Sequence, residues 1–197
     1  MRVVVMPGFG CPSWTLAPLA SYLRGRGHEV VVPPLGFNVD CGEASVAKVA
    51  GAVFGRGERS MLVGHSRGGQ FARVCAVRFP DVVDRLVTVA TPWTVGPPAA
   101  PGIGLAGAAI RGARRFGGPR FASIDCADGS CCVDFRADML RVPACEWTAI
   151  WSPTDRVAGL DARPPTGASR IVETDQSHFG AISSSEGKRQ IADALER

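Results

Sequence analysis

Short apolar runs alternate with helix-patterned segments along most of this chain, and that alternation constrains the fold more than any other feature. Residues 2–6, 29–32, 60–63, 85–90, 145–151 and 169–173 read as strands. Residues 13–25, 43–54, 70–78 and 182–195 carry apolar side chains at three- and four-residue spacings and read as helices. Leu16, Leu19, Ala20 and Leu23 form the stripe of the first helix, with Ser13 as its expected N-cap; Val46, Val49, Ala50 and Val53 form that of the second. Strands alternating with helices imply βαβ units and a mostly parallel sheet. Near-continuous apolar strands fit a sheet covered by helices on both faces. The expected class is therefore α/β, with about six strands in one domain over residues 1–197. Functional residues in such a sheet should follow strands rather than precede them.

Composition removes several function classes. The net charge of +4 is too small to imply nucleic-acid binding. No apolar run approaches the roughly 20 residues needed to span a bilayer. The N-terminus enters a strand at once, without the charged and apolar regions of a signal peptide, so a cytoplasmic location is expected. The seven cysteines do not read as a disulfide scaffold in a chain of this length. Cys126, Cys131 and Cys132 cluster, but no histidine lies near enough in sequence to complete a zinc site, and no metal or cofactor is expected.

The rhythm breaks between residues 93 and 143. Pro97, Pro98, Pro101 and many glycines open this stretch. Within it, Ile103, Ala106 and Ile110 oppose Arg111, Arg114 and Arg115 in an amphipathic pattern, although Gly104, Gly107 and Gly112 each cost a helix about 1 kcal/mol relative to Ala. An excursion between two core strands, above their carboxyl ends, is where a lid or cap would sit. Its arginines suggest at most a weak contact with a membrane surface.

Chemistry concentrates at Gly64-His65-Ser66-Arg67-Gly68. An apolar strand precedes it and a helix pattern follows, which is the setting of a nucleophile elbow, a strained turn that exposes a serine hydroxyl. Such a serine needs a base, and the base needs an acid to fix its tautomer. Of the three histidines, His28 enters a strand from the wrong edge. His65 should point away and pack under the elbow. His178, in Ser177-His178-Phe179-Gly180 after the last strand, is on the required edge. Behind such an elbow the acid falls between serine and histidine in the chain. Asp155 fits, directly after a strong strand, with Asp175 as runner-up. Asp125, Asp128, Asp134, Asp138 and Asp161 are weaker candidates. The amides of Phe9, in the turn Pro7-Gly8-Phe9-Gly10, and of Arg67 are the expected oxyanion donors. Trp14, Trp93 and Phe179 are expected to line an apolar substrate pocket.

These pieces, with Phe79-Pro80-Asp81, Arg85–Pro92 and Ser152–Val157, resemble an α/β-hydrolase close to the minimal bacterial lipases and esterases, over nearly the whole length. The resemblance implies an α/β-hydrolase fold lacking the first two strands of the full form. It also implies hydrolysis of small-molecule or lipid carboxylic esters by Ser66, Asp155 and His178 through an acyl-enzyme. Thioester hydrolysis or acyl transfer on the same three residues, and a non-catalytic binding protein on the same fold, are the rival readings. The sequence departs from that pattern twice: Pro7 stands where His is usual, and Arg67 where Met, Leu or Gln is commoner.

Overall fold

The computed structural model describes residues 1–54, 59–93 and 132–196. Strands β1 (Arg2–Met6), β2 (Glu29–Val31), β3 (Ser60–His65), β4 (Val83–Val89), β5 (Glu146–Trp151) and β6 (Arg170–Glu173) form one sheet in the order β2-β1-β3-β4-β5-β6. Every neighbouring pair is parallel. Helices α1 (Ala17–Gly25), α2 (Gly42–Phe54), α3 (Arg67–Arg78), α4 (Val133–Leu140), α5 (Gly180–Ser183) and α6 (Ser185–Glu196) cover it.

Side chains of a strand alternate between the two faces, so each apolar run feeds two cores. Val3, Val5, Met61, Val63, Val87, Val89 and Ile150 pack with α1 and α6 on one face. Val4, Met6, Leu62, Leu86, Trp147 and Ala149 pack with α2, α3 and α4 on the other. This division follows from strand order and crossover handedness. The chain moves one way from β1 to β2 and the opposite way from β2 to β3 and from β3 to β4. Right-handed crossovers then put α1 on one face and α2 and α3 on the other. The reversal makes a crevice beyond the carboxyl ends of β1 and β3, the topological switch point where doubly wound sheets bind ligands.

Several boundaries differ from the sequence expectation, for local reasons. The first helix splits into a 3-10 turn (Ser13–Leu16) and α1, with Pro18 in the first turn of α1. Pro18 has no N–H to give, so it sits best where a helix starts. Ser13 is not the N-cap of α1; its Oγ donates to the carbonyl of Pro33. Helix α3 begins at Arg67, three residues before the apolar pattern starts, because the helix grows directly out of the elbow. The C-terminal helix divides at Ser184, whose backbone is extended. Strand β6 is an edge strand with Arg170, Ile171 and Glu173 exposed, unlike the buried strands inside the sheet.

The interval 93–143, expected as a cap-like excursion, falls largely outside the described residues, and the Arg111–Arg115 segment, Cys126 and Cys131 fall there too. Its final part is α4, which lies on α3 with Phe135 and Met139 buried, each about 3% exposed. This helix belongs to the layer that covers the sheet. Among the described residues no helix is long and apolar enough to cross a membrane.

Candidate active site

Ser66 lies between β3 and α3 with φ 52° and ψ −126°, a conformation that L-residues adopt only at a cost. The turn is possible because its flanks are glycine. A Cβ on Gly68 would lie 2.5 Å from the carbonyl oxygen of Met6 and 2.6 Å from that of Pro7, and a Cβ on Gly64 would collide with the backbone of Gly68. The sharp strand-to-helix reversal therefore packs directly against the end of β1. Ser66 also sits at the N-terminus of α3, where the helix leaves amides without intrahelical partners and favours negative charge.

The turn after β1 closes on the same spot. Gly8 approaches so near that an added Cβ would lie 3.1 Å from both the Ser66 Cβ and the His65 Nδ1. Phe9 follows, its ring 5.6 Å from the Arg67 guanidinium. The two residues expected to supply oxyanion amides are thus neighbours in space. Arg67 also donates to the carbonyls of Asn38 (2.8 Å) and Asp40 (2.6 Å). Asn38, fully buried and at φ 53°, donates from Nδ2 to the carbonyl of Pro7 at 2.6 Å. The two departures noted in the sequence, Pro7 and Arg67, are therefore joined through Asn38. Sequence reasoning missed this residue. Its signal is an Asn two residues after Gly36, in a loop where left-handed backbone is tolerated.

His178 and Asp155 meet on the same edge. The Nδ1–H of His178 donates to Asp155 Oδ2 at 2.7 Å, and both side chains are almost wholly buried. Asp155 Oδ1 accepts the amides of Val157 (2.8 Å) and Ala158 (3.0 Å), so the carboxylate is held from both sides. Burial alone pushes its pKa up. The His178 hydrogen bond and charge and the two amides outweigh that, and its carboxyl lies below the usual carboxylate range. With Nδ1 committed as a donor, the neutral His178 ring leaves Nε2 as its basic atom. Among the described residues, no hydrogen bond joins this ring to Ser66 Oγ.

His65 is the element that ties the two halves together. It is buried, and its Nε2–H donates to the backbone carbonyl of His178 at 3.0 Å. The rings of His65 and His178 are 4.7 Å apart, and Phe179 closes on both. Burial, reinforced by repulsion from His178, lowers the His65 pKa to about 3, against an opposing contribution from that hydrogen bond. It stays neutral, with its Nδ1 unpartnered.

The remaining candidates disperse. Asp175 accepts a hydrogen bond from Gln176 rather than from His178. Asp138 pairs with Arg78 and Arg141, Asp134 is exposed on α4, and Asp161 lies in the 3-10 turn Gly159–Ala162. Asp125 and Asp128 lie outside the described residues. Of the expected pocket residues, Trp14 is 75% and Phe179 54% exposed, one after the β1 turn and one beside His178. The Trp93 ring lies against Trp147 and the Arg73 guanidinium. No group of His, Cys, Asp and Glu among the described residues could hold a metal ion.

No family model and no curated protein matches this chain. Solved structures do. A monoacylglycerol lipase from Paleococcus ferrophilus is similar at 17% identity, with a TM-score of 0.69 over 98% of this chain and 93% of that one. An extracellular α/β-hydrolase from a Paenibacillus species is similar at 17% identity and TM-score 0.65, covering 99% and 97%. A thioesterase domain from the curacin biosynthetic pathway is similar at 16% identity and TM-score 0.66, covering 100% and 90%. The architecture is the α/β-hydrolase fold, shortened to six parallel strands.

Proposed function

We propose that this chain is a serine hydrolase of carboxylic esters, esterase- or lipase-like, with Ser66 as nucleophile, His178 as base and Asp155 as the acid that orients it. The observation that carries the reading is the buried 2.7 Å hydrogen bond between His178 and Asp155 on the sheet edge where Ser66 projects. In this scheme His178 Nε2 takes the Ser66 proton as Oγ attacks the ester carbonyl. The amides of Phe9 and Arg67 receive the developing oxyanion, helped by the N-terminus of α3. The alcohol leaves with the proton from His178. Water, activated by the same ring, then releases the acid and restores Ser66. The Ser66–His178 hydrogen bond forms as substrate settles, since such contacts often tighten only in the complex. In this reading Trp14 and Phe179, both exposed, line the approach to Ser66 and favour an apolar ester over a charged one. No cofactor takes part in this scheme, which treats residues 1–197 as one domain with a cap within the segment from about 93 to 143, ahead of α4.

A fluorophosphonate probe tests the nucleophile. Labelling of the intact protein and its loss in Ser66→Ala are expected; labelling that survives the substitution removes Ser66 from the role. Turnover of p-nitrophenyl esters of graded length, beside an acyl thioester, then separates esterase from thioesterase. Probe and substrates all left untouched would favour a binding protein on this fold.

A further inference from the structure

A second chemical feature lies outside the proposed catalytic residues. Cys41 immediately precedes α2, Cys132 immediately precedes α4, and their Sγ atoms are 3.6 Å apart although 91 positions separate them in the chain.

The approach is built into the packing on three sides. Gly42 lies flat on the Phe135 ring, so that a Cβ there would come within 3.1 Å of it. Arg78 of α3 binds Glu43 through two hydrogen bonds of 2.6 and 2.7 Å, and Asp138 through a third of 2.7 Å, tying the start of α2 and the last turn of α4 to one guanidinium. Phe71 of α3 meets Phe135 edge-on at 5.9 Å. The two sulfurs are thus held together by side chains that do not include them, which raises their effective concentration toward each other. The remaining described thiols lack such a neighbour, and burial pushes Cys75 up to about 12 and Cys145 up to about 11.

We propose that Cys41 and Cys132 are a reversible disulfide site, closed by exchange with a low-molecular-weight disulfide. Cys41 is half-buried and Cys132 is only 5% exposed, which sets the order of events. The Cys41 thiolate attacks the small disulfide, forming a mixed disulfide and releasing one small thiol. The Cys132 thiolate then attacks the Cys41 sulfur and expels the second small thiol. Two protein thiols are oxidised to one disulfide, one small disulfide is reduced to two thiols, and the two protons pass to the released thiolates. The bond joins the start of α4 to the loop whose carbonyls at Asn38 and Asp40 hold Arg67.

The experiment uses the full chain, equilibrated with glutathione at graded ratios of disulfide to thiol, alkylated under acid quench and mapped by mass spectrometry. A peptide pair linking Cys41 to Cys132, two hydrogens lighter than its reduced parts and lost on reduction, is expected. Cys132→Ser should instead accumulate a stable single glutathione on Cys41, and Cys126→Ser/Cys131→Ser should leave the 41–132 link intact. Linkage of Cys132 to Cys126 or Cys131, or oxidation only under conditions that also unfold the chain, overturns the proposal.

Discussion

Among single residues, Asp155 and Ser66 are the most constrained at the proposed site. Asp155 uses both oxygens, one toward His178 and one toward a pair of amides. Asp155→Asn keeps the shape but offers His178 an N–H where it needs an acceptor, favouring the wrong tautomer. Ester turnover should fall by about 10⁴-fold, the loss seen when a triad aspartate is so changed in a serine protease, while Asp175→Asn should stay within about tenfold of the parent. Equal losses in the two variants would remove Asp155 from its role. Ser66 holds a positive φ that strains any residue with a Cβ. Ser66→Gly should therefore be about 1 kcal/mol more stable than Ser66→Ala in urea denaturation, though both are inactive. The placement of Ser66, Asp155 and His178 at one edge of the sheet was legible, because each follows a strand. Asn38 was not. Its amide acts on a carbonyl 31 positions away, and nothing local in the sequence marks such a contact.

At the scale of the element, the interior strands were the plainest part of the chain. A parallel strand buried on both faces is a near-continuous apolar run; β1 and the centre of β3 are written that way, and β4 and β5 nearly so, each with one buried threonine, Thr88 or Thr148, and charged residues only toward the start. Helix α4 escaped notice for the converse reason. Of its apolar residues, Val133 and Leu140 face solvent and only Phe135 and Met139 are buried, so no stripe emerges. The start of α3 was hidden by Gly68 and Gly69, which read as turn residues but lie inside a helix because nearby backbone and Thr91 leave no room for a Cβ. The weight α4 bears can be measured. Phe135 fills the space between Gly42 and Phe71, and Phe135→Ala should cost about 3 kcal/mol in equilibrium denaturation. A loss under about 1 kcal/mol would mean that α4 adds little to the core.

For the whole molecule, the order of strands decides where chemistry can occur. The reversal between β1 and β3 opens the crevice, and the Pro7–Gly10 turn and Ser66 occupy its two lips. The resulting fold is shared with hydrolases of 16–17% identity. Its response to acid follows from two buried groups. His65 binds no proton in the folded chain until near pH 3, whereas an ordinary histidine binds one near 6.5. The unfolded chain takes up that proton first, so the contribution of His65 is complete above about pH 6.5 and shrinks as pH falls toward 3. Asp155, also depressed, loses its own contribution as the pH falls further. Stability should thus decline from pH 6.5 downward, and His65→Gln should flatten the slope by up to about 1.4 kcal/mol per pH unit, read from denaturation midpoints across that range. An unchanged slope would place the sensitivity elsewhere.

The bond from His65 to the backbone of His178 has a mechanical meaning as well. Ser66 is the next residue after His65, so the proposed donor and acceptor of the proton hang from opposite ends of one short tether. A displacement of the loop that carries His178 would therefore be passed to the end of β3, so that the two sides of the proposed proton transfer are coupled through one hydrogen bond.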